Sequence, residues 1–162
     1  MVFFGLQAYI KEYLSTPITT ADIDEAELVI KAHGLPFNRS GWERLVEKHG
    51  GYLPIRIQAV AEGSIVPVSN VVCQIINTDP EFYWLPSYLE TSLLRAIWYP
   101  STVASLSHYC KTVIKAGLEK SADSSAGLPF KLHDFGARGA SSLESVALGS
   151  LAHLVNFLSL IH

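Results

Sequence analysis

The sequence predicts a mixed α+β fold of the α/β class, and three observations lead there. Apolar residues recur at helical spacing through the first fifty positions. The period switches to alternation from Leu53 and turns back on itself as far as Ile76. A glycine-bracketed stretch from Leu128 to Glu144 then reads as strand, tight loop and helix. The expected organisation is a single partial domain over 1–162: helices in 1–50, a β-meander in 51–77, core or interface helices in 81–120, and strand, loop and helix in 128–162.

Phe3, Leu6, Ile10 and Leu14 share one face of a first helix that ends before Pro17. Thr19 and Asp22 open a second helix with Ile23, Ala26 and Ile30 inward, and Gly34 closes it. Ser40-Gly41-Trp42-Glu43 has capping-box spacing and starts a third, which stops at Gly50-Gly51. In the alternating segment Ile55, Ile57 and Ala59 face one way, Arg56 and Gln58 the other. Glu62-Gly63-Ser64 turns the chain into a short strand, Ile65 to Val68, where Pro67 fits an edge. Ser69-Asn70 turns it again into Val71 to Ile76, completing a small antiparallel meander. Asn77-Thr78-Asp79-Pro80 breaks the pattern. The aromatic run Phe82-Tyr83-Trp84 leads into a helix through Tyr99 that Pro100 ends, and those aromatics read as core or subunit interface. Val103, Leu106, Cys110, Val113 and Ile114 stripe the next helix to about Lys120. A polar loop, 121–127, delivers the strand Leu128–Leu132. After the loop, Ala147, Leu151, Leu154, Val155 and Leu158 stripe a last helix, in which the chain stops at Ile161-His162. An apolar face that starts at residue 3 and a final helix with no cap signal read as an internal piece of a longer protein.

The chemistry concentrates in Lys131 to Glu144. Ser141 stands three positions before Glu144, the capping-box spacing, so backbone N–H groups and the positive end of a helix dipole converge on the loop and favour an anion. Arg138 adds a permanent forked charge there, and Phe135 a flat apolar face three residues away. A phosphate and a planar ring suit that pair. His133 and Asp134 read as holding the loop, with an acid/base pair as the rival reading, and Gly136 and Gly139 let the backbone turn tightly. No catalytic residue is assigned.

Composition bounds the rest. Hydrophobic residues make up 49% of the chain against 17% charged, a surplus of apolar surface that suggests partner contact. The apolar stretches are broken by Asn70, Asp79, Glu90 and Arg95 before any reaches spanning length. The start lacks a signal-peptide pattern. The net charge of −3 argues against a nucleic-acid surface. Cys73 and Cys110 read as buried thiols in a reducing compartment, hence a cytoplasmic protein with neither membrane nor nucleic acid among its partners. The six histidines are too scattered for a protein metal site, and no nucleophile elbow, Walker-type or dinucleotide glycine pattern is present.

Lys131 to Gly139, followed by Ser141-Ser142 and by His153-Leu154-Val155-Asn156-Phe157, resembles the signature segment of the nicotinamide phosphoribosyltransferases. Gly51 to Ile55, Pro67, Asn70-Val71, Asn77 to Pro80, Tyr83 to Leu85, Glu90-Thr91 and Trp98 to Ala104 resemble the same family in the same order. The related nicotinate enzymes share the Phe-Gly-x-Arg core; the His133-Asp134 prefix and Gly139 after Arg138 are more similar to the nicotinamide enzymes. The resemblance implies a partial type II phosphoribosyltransferase fold, with one strand, loop and helix of its barrel domain. It implies transfer of phosphoribosyl from phosphoribosyl pyrophosphate to nicotinamide in NAD salvage, giving nicotinamide mononucleotide and pyrophosphate. Magnesium would arrive with the pyrophosphate substrate, with no tightly bound cofactor. The position of Phe135 would stack on the pyridine ring, opposite an aromatic from the other subunit of a homodimer, and that of Arg138 would contact the phosphate. Family members carry further sequence before Phe3 and a long remainder after Phe157 that holds the phosphoribosyl-binding acids and the basic pyrophosphate contacts. Leu158 to His162 departs from the Gly-Thr-Asp-type continuation. The expectation is therefore a fragment with half a site, inactive alone. The rival readings are a non-catalytic assembly module of a split enzyme, and specificity for nicotinate.

Overall fold

A computed structural model describes residues 1–158. Its helices are α1 (Leu6–Tyr9), α2 (Thr20–Ala32), α3 (Arg39–His49), α4 (Leu85–Ser121) and α5 (Leu143–Leu154); its strands are β1 (Ile55–Ala59) and β2 (Cys73–Asn77). The chain forms two compact units, one of Met1–Ala8, Ala59–Cys73 and Ser92–His162, the other of Tyr9–Gln58 and Gln74–Thr91. The architecture is mixed helix and a two-stranded sheet. The backbone bonds Val60 N–H to Val72 O and Thr78 N–H to Pro54 O run that sheet antiparallel.

The unit built on residues 9–58 and 74–91 is organised by two capped helices. Thr19 caps α2 as expected: its side chain accepts from the Asp22 N–H, while the Asp22 carboxylate accepts from the Thr19 N–H at 2.7 Å. The cap of α3 is Asn38, not Ser40. The Asn38 side chain accepts from the Gly41 N–H at 3.2 Å, and a Cβ on Gly41 would lie 2.4 Å from the Asn38 amide. Gly50, at φ 63°, ends α3 in the left-handed conformation that glycine adopts without strain. Ile23, Trp42, Leu45, Phe82 and Leu85 form the core, and Trp84 and Tyr88 meet the Trp42 ring edge-on at 4.7 and 5.1 Å. Arg39 ties the two helices together by donating to Asp24, Glu27 and Glu43.

In the other unit the N-terminal residues are extended, which corrects the reading of Phe3 as the start of a helix. The Phe3 N–H donates to Ser64 O, the Gly63 N–H donates to Phe3 O, and Val2 bridges Ile65. Ile65 to Val68 is therefore no central strand of a meander, because its pairing goes to the N-terminus. The alternate N–H groups, of Val2 and Phe4, donate to Ser105 and Ser101 on α4. Helix α1 begins only after Gly5, at φ 112°, and passes into a single π turn at Ile10–Leu14.

Pro100 does not end its helix. Helix α4 runs straight through it, and the carbonyl that Pro100 leaves without its usual i+4 donor, Ala96 O, faces Gly5, where an added Cβ would sit 2.2 Å away. A bare glycine backbone fills the space beside the proline. The strand expected at Leu128–Leu132 is instead a 3₁₀ turn, Leu128–Phe130. Pro129 suits the turn's φ and offers no N–H to a ladder. Cys73 and Cys110 are half-buried, and burial pushes the Cys73 thiol up. Among the described residues, no helix is long and apolar enough to cross a membrane.

Helix α5 departs furthest from its sequence pattern. Its cap is Ser142, accepting from the Ser145 N–H at 3.1 Å, one residue later than the Ser141–Glu144 spacing suggested. Its buried face is Gly149, Ser150, Ala152 and His153, while Ala147, Leu151, Val155 and Leu158 of the expected inward stripe are exposed, as is Leu143 at the start of the helix. Part of the reason is steric, since a Cβ on Gly149 would lie 2.7 Å from the Tyr99 hydroxyl, and the rest is polar, His153 pairing with Ser107 on α4 and Ser150 with Asp134. Residues 159–162, where the sequence pattern continues the helix, lie outside the described residues.

Candidate functional site

The loop from His133 to Ala140 is held from within. The Asp134 carboxylate accepts from the Gly136 N–H at 2.8 Å through one oxygen and from the buried Ser150 hydroxyl at 2.9 Å through the other. The chain then makes a 3₁₀ turn, Gly136–Gly139, entered from Phe135 at φ −113° and ψ 16°. Neither glycine has a positive φ, so the chain turns here without the left-handed conformation. Gly136 is needed for another reason: a Cβ there would crowd the Asp134 carboxylate at 2.9 Å. Gly139 faces open space.

Phe135 enters this turn and Arg138 lies within it, three residues further on. Phe135 is 52% exposed, and the His133 ring meets it edge-on with centroids 6.4 Å apart. Arg138 is exposed and makes no ion pair among the described residues. The segment thus carries an exposed aromatic ring and an exposed cation three residues apart in the chain, groups suited to a planar ring and to an anion. His133, Asp134, Phe135, Gly136, Arg138 and Gly139 fall in one short segment. Asp134 meets Gly136 within it and Ser150 outside it.

The support beneath the loop escaped the sequence reading. His153, 4% exposed, pairs through Nδ1 with the Ser107 hydroxyl at 2.9 Å and through Nε2 with Leu132 O at 3.3 Å, and stacks on Phe157. The Asn156 amide donates to Ala104 O at 2.9 Å, and Lys111 donates to Asn156 O. These bonds fix α5 to α4 just behind the loop. The available signal was the small and polar set Gly149, Ser150, Ala152 and His153 at i, i+1, i+3 and i+4, one helix face that a count of leucines assigns to solvent. Among the described residues no group of three or more His, Cys, Asp or Glu side chains is placed to hold a metal ion.

Comparison with known proteins follows the same lines. Residues 1–57 match the family model described as nicotinamide phosphoribosyltransferase, N-terminal domain. A nicotinamide phosphoribosyltransferase of Xanthomonas campestris pv. campestris is 56% identical over 157 residues, covering 96% of this chain and 33% of the relative. One from Acinetobacter baylyi is 31% identical over 166 residues, covering 98% and 33%. The relatives point to a class, the phosphoribosyltransferases. Within that class, this chain belongs to the nicotinamide phosphoribosyltransferase family. The chain spans about a third of the length of the curated relatives it matches.

Proposed function

We propose that the chain supplies part of the substrate pocket of a nicotinamide phosphoribosyltransferase, forming nicotinamide mononucleotide and pyrophosphate from nicotinamide and phosphoribosyl pyrophosphate in NAD salvage. The observation that supports this reading is the exposure of both Phe135, which enters the 3₁₀ turn, and Arg138, which lies within it. Phe135 offers its ring to the pyridine face, and Arg138 donates to a phosphate. Holding the two ends fixes the distance between ring nitrogen and anomeric carbon, and positioning of this kind supplies much of the acceleration in a bimolecular transfer. The leaving pyrophosphate enters as its magnesium complex, part of the substrate. The parent fold is the type II phosphoribosyltransferase barrel and the assembly a cytoplasmic homodimer.

Alone, the chain turns over little or no substrate. The test is nucleotide formation by the purified chain, by itself and with a polypeptide matching the relatives' remaining two thirds. Activity restored by mixing and abolished by Arg138→Ala supports the reading; vigorous turnover by the single chain overturns its incompleteness. The exposed Leu143, Leu151 and Leu158 favour a second reading, in which the chain only docks on a separate remainder. Association without activity selects that one. Competition between nicotinamide and nicotinate settles which ring is preferred.

A further inference from the structure

We propose that Ser150 is a positioning residue for the nucleotide: its hydroxyl sets, through Asp134, the conformation of the turn that carries Phe135 and Arg138. The inference rests on the reading of those two side chains as ring and phosphate contacts. It goes beyond that reading by assigning a role to a residue that touches neither end of the ligand.

Ser150 is 5% exposed and lies on the buried face of α5. A buried hydroxyl requires a partner, and this one donates to Asp134 Oδ2 at 2.9 Å. The other oxygen of the same carboxylate accepts from the Gly136 N–H, the first residue of the 3₁₀ turn. One carboxylate therefore spans a helix that cannot shift and a turn that otherwise could. The helix is held by His153 on Ser107 and Leu132, by Asn156 on Ala104, and by the close approach of Gly149 to Tyr99. At the turn itself Gly139 faces open space and both Phe135 and Arg138 are exposed, so a tie from the turn to α5 runs through Asp134. Without the hydroxyl, Asp134 loses a buried donor and the Gly136 N–H is left with a less firmly held acceptor.

The test uses the full chain and nicotinamide mononucleotide as probe, with affinity read by titration and loop order by amide exchange at Gly136. Ser150→Ala keeps the helix and nearly the same volume, so exchange within α5 stays as in the wild type while Gly136 exchanges about tenfold faster and the nucleotide binds about tenfold more weakly. Asp134→Ala gives the same pair of effects, and the double variant is no worse than either single one, because both remove one connection. Ser150→Thr, which keeps the hydroxyl, binds as the wild type does. Unchanged affinity in Ser150→Ala, or independent effects that add in the double variant, would overturn the proposal while leaving the pocket reading intact. Absence of binding in the wild type sinks the pocket reading itself, and this proposal with it.

Discussion

The α2–α3 region and the α5 region solve the same packing problem in opposite ways. In the first, the large apolar side chains Ile23, Trp42, Leu45, Phe82 and Leu85 turn inward and the charges form a surface lattice. In the second, Gly149, Ser150, Ala152, His153 and Asn156 are buried beside a single large ring, Phe157, and Leu143, Leu151 and Leu158 look outward. Burial of large apolar area holds the first region, whereas close approach and directional hydrogen bonds hold the second. The first gains stability from volume, and the second places a loop with accuracy.

The sharpest way to break this comparison is to truncate the apolar core. Phe82→Ala lowers the stability of its unit by about 3–5 kcal/mol, read by denaturant unfolding followed through tryptophan fluorescence. Next in size comes Gly5→Ala, which places a methyl against Ala96 O and Pro100 at a φ of 112° and costs on the order of 3 kcal/mol in the other unit. A similar loss from Gly139→Ala, where there is open space, would contradict the packing described; the expected change is within about 0.5 kcal/mol.

A smaller effect comes from acid. The Asp79 carboxyl is held far below its ordinary value of 3.8, first by Lys48, then by His49 and the Glu81 N–H. Because the folded-state value is depressed, its contribution is complete above the unfolded value and fades as pH falls toward the folded one. The wild type therefore loses thermal stability between about pH 4 and about pH 2, and Asp79→Asn is less stable at neutral pH with a shallower acid limb. Parallel limbs in a pH series of melting curves would remove Asp79 from the account. The smallest effect is Leu151→Ser on the outward face of α5, within about 0.5 kcal/mol in the isolated chain.

The same contrast explains what could be read in advance. Thr19 with Asp22, Ile23 inward and Gly50 at the end of α3 follow local rules, since each cap and period is decided within a few residues. Pro100 misled because its consequence is settled by Gly5, ninety-five positions away, which occupies the space beside the unpaired carbonyl. The α5 stripe misled because Gly149 lets Tyr99 approach, and no periodicity of hydrophobic residues carries that information. At the site, residue chemistry alone singles out Phe135 and Arg138, and both are exposed. The strut from Ser150 to Asp134 was not legible, because a serine amid leucines looks like a solvent position until the fold turns that face inward.

The most direct measurement is the nuclear Overhauser contact between the pyridine protons of nicotinamide mononucleotide and the chain in a saturating titration. The account predicts contacts to the Phe135 ring, with the Arg138 guanidinium resonance moving in step and both lost in Arg138→Ala. Contacts confined to another surface, with Phe135 undisturbed at saturation, would contradict it.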